Sequence, residues 1–177
     1  NNTQQKGTDM YALSFYNLGY CYFKQQEYDM ALNRFRQYTD VEQNHAAASY
    51  ADAYNRIGDC LFHNRQFAAA EENYNKACQV LPSAGDYSVY QKGFVLGLQK
   101  DYSGKIQAMD QLIREYPESQ YIDDALFEKG RTYVLLENSS SAIQTFNKLI
   151  GEYPESSLAR KAGIQLGLIY YNDNQPE

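Results

Sequence analysis

Five glycines, Gly19, Gly58, Gly93, Gly130 and Gly167, stand at the centres of apolar, helix-periodic segments at separations of 39, 35, 37 and 37 residues. A glycine inside a helix costs about 0.5–1 kcal/mol relative to alanine, so five at near-regular spacing need a common reason. Close approach by a neighbouring helix that any side chain would block is such a reason. Stacked helical hairpins demand that approach, and β-type alternation is absent from the sequence.

The stretch 51–82 carries the unit most fully. Relative to Gly58, Tyr54 lies four places before, Ile57 one before, Leu61 three after, Ala70 twelve after, Tyr74 sixteen after and Pro82 twenty-four after. The first unit repeats the pattern with Phe15, Leu18, Gly19, Tyr22, Ala31 and Phe35, with Gln43 where proline would stand. The third has Val89, Lys92, Gly93, Leu96, Lys105, Met109 and Pro117; its two lysines replace an apolar and a small residue and are expected to snorkel. The fourth has Leu126, Lys129, Gly130, Tyr133, Ala142, Phe146 and Pro154, and a fifth keeps Leu166, Gly167 and Tyr170. Direct self-similarity agrees: IQAMDQLIREYPES at 106–119 matches IQTFNKLIGEYPES at 143–156 in nine of fourteen places. In both copies proline stops one helix, and Ser119 or Ser156 is placed to cap the next.

These offsets resemble the signature of the tetratricopeptide repeat, whose unit is a pair of antiparallel helices. The resemblance implies an all-α fold, a right-handed α-α superhelix or solenoid of about four helix hairpins plus a C-terminal capping helix. It predicts a single domain over 1–177, with units at about 9–43, 47–82, 85–117 and 119–154 and a closing helix at 156–173. Helices are expected near 9–26, 28–41, 47–64, 67–80, 85–99, 102–116, 119–136, 139–152 and 156–173, with an aromatic (Tyr28, Phe67, Tyr102) plugging three of the four hairpin turns. The longer units ending in YPES, over roughly 85–170, look like those of bacterial cell-envelope tetratricopeptide proteins, namely outer-membrane assembly lipoproteins and the periplasmic partner of the Tol-Pal system. That likeness implies a periplasmic or outer-membrane-associated location, with the cytoplasm as the alternative.

Composition narrows the partners. The net charge is −6 and no Lys/Arg run marks a phosphate-binding face, so nucleic acid is a poor candidate. No apolar run approaches the roughly 20 residues that span a bilayer, and the polar start is not signal-like; a processed product or an excised piece of a longer protein is compatible with both ends. Eighteen tyrosines and eight phenylalanines suit helix packing and recognition surfaces alike.

Catalysis has no constellation to rest on, and the expectation is that the chain is not an enzyme. Cys60 and His63 share a helical face, but neither a Cys-x-x-Cys nor a His-x-x-x-His pattern is present, so no metal is expected. Cys21, Cys60 and Cys78 are odd in number and widely spaced, so buried free thiols are expected rather than a disulfide framework. Glycine-rich phosphate loops are absent, so no cofactor is expected. Asp123-Asp124 and Glu71-Glu72 are adjacent pairs that diverge by about 100° on a helix and do not converge on one substrate atom.

The expected binding surface is the concave face, formed by residues three before and one, four and five after each glycine. These are Tyr16, Tyr20, Phe23 and Lys24 in the first unit, Asn55, Asp59, Phe62 and His63 in the second, Tyr90, Phe94 and Leu98 in the third, and Phe127, Arg131 and Val134 in the fourth. Aromatic area with a few polar anchors suits a peptide or protein segment. The same aromatics would equally pack one repeat on the next. Cochaperones of the family grip a C-terminal carboxylate with Lys and Asn on the first unit and Lys and Arg on the third; Tyr16, Tyr20, Tyr87 and Gln91 hold those places here, so that clamp is missing. Two alternatives to a protein-binding scaffold stand beside it: an envelope glycan or cell-wall binder stacking sugars on tyrosine rings, and a structural or homo-oligomerising spacer of a larger protein.

Overall fold

The computed structural model describes residues 2–173, with side chains from Met10 onward. Among the described residues it contains nine α-helices, one short 3-10 turn and no strand. In order they are α1 (Asn2–Lys24), α2 (Tyr28–Val41), α3 (Ala48–His63), α4 (Phe67–Val80), α5 (Asp86–Leu98), α6 (Tyr102–Glu115), α7 (Ile122–Leu135), α8 (Ser139–Glu152) and α9 (Ser157–Asp173). Among the described residues no helix is long and apolar enough to cross a membrane.

The chain divides into two compact units, Asn1–Gln99 and Lys100–Glu177. The expected third hairpin is thereby shared, α5 belonging to the first unit and α6 to the second. In the first unit α1 packs on α2, α2 on α3, α3 on α4 and α4 on α5. In the second, α6 packs on α7, α7 on α8, and α9 on both α8 and α7.

The repeated glycines explain how the helices of a hairpin meet. A Cβ on Gly19 would lie 2.7 Å from the Phe35 ring, and one on Gly58 2.7 Å from the Tyr74 ring; Gly130 is closer still to Phe146. The aromatic sixteen residues after each glycine therefore lies flat against bare backbone. Phe35, Tyr74 and Phe146 are at most 1% exposed, so the rings have no room to retreat. Beside them Ala31, Ala70 and Ala142 are fully buried.

Each hairpin turn carries a residue in the left-handed region seven places after its glycine: Gln26, Arg65, Lys100 and Glu137, at φ of 63°, 59°, 64° and 55°. The following N–H reaches back five residues, Glu27 to the Tyr22 carbonyl at 3.0 Å, Gln66 to Leu61 at 2.8 Å and Asn138 to Tyr133 at 2.9 Å. This is a Schellman closure, which satisfies carbonyls that the helix end leaves open. Asp101 and Asn138 then cap α6 and α8, accepting from the Gly104 and Ser141 N–H groups at 2.9 and 3.1 Å. The turn aromatics pack as expected, Tyr28 against Phe23 and Phe67 against Phe62, with ring centroids 5.6 and 5.9 Å apart.

Five details depart from the sequence reading. Cys21, expected to be buried, is exposed on α1, while Cys60 is buried. The first helix begins at Asn2 rather than near residue 9. Leu18 is 43% exposed although it holds the place of Ile57, which is 2% exposed in α3, a helix packed on both α2 and α4. Ser119 bonds the Tyr121 N–H within the turn before α7, whereas Ser156 directly precedes α9 and accepts from Leu158 N–H at 3.1 Å. Lys105, expected to snorkel, is 8% exposed, and its Nζ donates to Glu128 of α7 at 2.6 Å.

Candidate functional site

In the first unit the polar residues of α3 converge on Arg56, midway between the aromatics of α1 and α5. Asp52, Arg56 and Asp59 lie four and three residues apart on one helix face, so Arg56 has a carboxylate on either side. Its Nη1 is 2.6 Å from Asp59 Oδ2, and its Nε is 3.4 Å from Asp52 Oδ1 without a hydrogen bond. The guanidinium lies 5.7 Å from the Phe23 ring centroid on α1 and 4.9 Å from that of Tyr87 on α5, within cation–π range of both.

The carboxylates extend the arrangement. Asp52 Oδ2 accepts from the Tyr16 hydroxyl at 2.8 Å and from the Tyr20 hydroxyl of the same helix. Asp59 Oδ1 accepts from the hydroxyls of Tyr74 on α4 and Tyr87 on α5, both at 2.8 Å. Asn55 Oδ1 accepts from Ser88 Oγ of α5 at 2.8 Å. Four helices are thus tied through one face of α3.

Burial sets the ionisation behaviour. It pushes the Tyr20 phenol up to about 12, aided by the hydrogen bond and charge of Asp52, and it carries Tyr16 higher still by the same causes. Tyr74 and Tyr87 rise through burial and then through the Asp59 charge. Burial opposes the charge on Arg56, but Asp59, Tyr87 and Asp52 outweigh it, and the guanidinium is held above its ordinary value. Burial raises the Asp59 carboxyl against the pull of Arg56 and its two phenols. The Cys60 thiol is pushed up to about 12, first by burial and then by the Asp59 charge.

The expected site residues fall into three groups. Asn55, Asp59 and Tyr90 are buried, the first two with side-chain oxygens committed to other helices. Tyr16, Tyr20, Phe23, Phe62, Phe94 and Phe127 are half-buried, and Arg131 is exposed, 3.1 Å from Glu128 and 6.0 Å from the Phe127 ring centroid. Phe62 packs against Phe67 at the hairpin turn, while the His63 ring stacks on Tyr28 at 3.9 Å and 6°. Asp52, Arg56 and Tyr87 were missed, since they lie outside the offsets used to define the face. Their signal was the Asp-x-x-x-Arg-x-x-Asp spacing, which puts alternating charges on one helical stripe.

Hairpins with an aromatic sixteen residues beyond a glycine, closed by a left-handed turn residue and joined through the first helices, are what the repeat signature requires. Tetratricopeptide repeat models match residues 16–86, 87–119 and 124–156. The chain belongs to the tetratricopeptide repeat family. Among solved structures, YrrB, described as a tetratricopeptide protein with an unusual peptide-binding site, aligns at 20% identity with a TM-score of 0.70, over 86% of this chain and 74% of its own. A double mutant of MamA aligns at 19% and 0.75, over 93% and 85%. A tetratricopeptide repeat protein of Parabacteroides merdae aligns at 16% and 0.78, over 91% and 60%. At these identities the likeness is one of fold. No curated protein matches the sequence. Tetratricopeptide arrays in general mediate protein–protein contacts, so the Arg56 network sits in a fold suited to recognition.

Proposed function

We propose that this tetratricopeptide chain is a non-catalytic scaffold that binds a peptide or protein segment along the face shared by α1, α3 and α5. The observation that carries this reading is the Arg56 network. It holds Tyr16, Tyr20 and Tyr87 by their hydroxyls and leaves half-buried ring area beside a partly open acid, Asp52, whose side chain is 30% exposed. Rings fixed in advance contribute contact area at little entropic cost, and Asp52 gives a ligand one polar point of register. Within the second unit, Phe127 and Arg131 hold the same offsets on α7 and form a separate candidate contact. The ring geometry favours peptide over sugar. The half-buried rings of Tyr16 and Tyr20 are inclined at 73°, and Phe94 is set at 72° to buried Tyr90, so the rings do not form a coplanar platform.

Selection of a random peptide library on the purified chain tests the reading. The enriched peptide is expected to lose about tenfold in affinity, or about 1.4 kcal/mol, on Phe23→Ala or Phe94→Ala and nothing on Tyr171→Ala, with circular dichroism unchanged. Failure to enrich any sequence, or equal loss in all three variants, would remove the proposal. The YPES-ended units support an envelope location as part of the same proposal; fractionation of the source cells, with the chain found in the cytosol alone, would count against it.

A further inference from the structure

The second unit contains a polar cavity of about 200 Å³ where α6, α7 and α8 meet, lined by Asp110 of α6, by Leu126, Lys129 and Tyr133 of α7, and by Thr145 and Lys148 of α8. It opens on the opposite side of α7 from Phe127 and Arg131, since Lys129 is turned roughly 180° from that face at about 100° per residue. The repeat itself supplies the comparison. The residue before the central glycine is Ile57 in α3, where it is 2% exposed in the core. In α7 it is Lys129, whose Nζ is 2.5 Å from Asp110 Oδ1 and 5.7 Å from the Tyr133 ring centroid. A core position has become a cation at the wall of a cavity.

Lys148 adds a second cation, held only loosely: its Nζ is 3.9 Å from Glu152, and both side chains are about half exposed. At the matching place in the first unit, Lys76 is 2.8 Å from Glu72 and lies over the Tyr54 ring at 5.9 Å. Within the lining itself, Lys129 and Lys148 against Asp110 leave one positive charge, which an incoming carboxylate neutralises once it replaces Glu152, a residue outside the lining, as the partner of Lys148. The volume is below the range of drug-sized or cofactor pockets, yet it exceeds the share of liquid that several waters occupy. We propose that this cavity is a binding site for a glutamate or aspartate side chain of an acidic peptide segment, held between Lys129 and Lys148. The loose Lys148–Glu152 pair yields at little cost, because exposed ion pairs contribute little. This site is independent of the face shared by α1, α3 and α5.

Titration of the isotope-labelled chain with an amidated tetraglutamate peptide tests the proposal. Saturable shifts are expected at Lys129, Thr145 and Lys148, with affinity falling about tenfold in Lys148→Gln and in Lys129→Ile and unchanged in Lys76→Gln. Isoleucine is the residue at the equivalent position of α3, Ile57, and the surface variant Lys148→Gln decides the matter should Lys129→Ile lose its fold. Equal shifts with tetraglutamine, shifts spread over all lysines, equal loss in Lys76→Gln, or saturation by inorganic phosphate with none by tetraglutamate would each overturn it.

Discussion

Gly58, Gly130 and Gly167 occupy the same place in their repeats, and their surroundings separate two costs that sequence alone merges. At Gly58 an added Cβ would meet the Tyr74 ring at 2.7 Å, whereas nothing lies within 4 Å of the same point on Gly167. Gly58→Ala is therefore expected to destabilise by about 1–2 kcal/mol, overpacking exceeding the gain in helix propensity. Gly167→Ala keeps the gain alone and is expected to stabilise by about 0.5–1 kcal/mol. Urea midpoints of the two variants check this, and a shift of the same sign in both would contradict the packing account. The sequence pattern found these glycines but could not say which of them a ring covers.

At the scale of elements, α2, α4 and α8 run 28–41, 67–80 and 139–152, as apolar periodicity and turn residues predict. Their partners and their turns were less legible. Gln26, Arg65, Lys100 and Glu137 adopt a conformation that glycine favours, yet none is glycine or asparagine, so composition hides the turn. The stripe around Asn55 and Asp59 was locatable by offset, but periodicity cannot tell a side chain facing a groove from one facing the next helix. Lys105 shows the same limit, since it fills an alanine position and reaches across to Glu128, with side chains 10% and 13% exposed. Breaking a buried pair leaves a desolvated charge, so Lys105→Ala is expected to cost about 3 kcal/mol, and Glu128→Gln added to it to recover a large part. A double-mutant cycle by denaturant unfolding measures the coupling; a cost under about 0.5 kcal/mol for the single change would show that the pair is not structural.

For the molecule as a whole, the shifted phenols and thiol make stability depend on alkaline pH. Tyr20 and Tyr50 rise from 10.0 to about 12 and Cys60 from 9.0 to about 12, in each case chiefly through burial. The folded chain then holds protons that the unfolded chain gives up, so stability is whole below pH 9 and declines as pH rises through 10 towards 12. Urea midpoints taken at intervals from pH 8 to 11.5 are expected to fall, alongside a delayed phenolate absorbance; a flat profile would refute the burial of these groups. The ring-on-glycine contact has a further consequence, for the order of events in folding. Phe35, Tyr74 and Phe146 each reach a glycine only sixteen residues away in the chain, so every such latch closes a short loop. Short loops close in well under a microsecond and low contact order speeds folding, so the hairpins can nucleate separately and the array can grow from any of them.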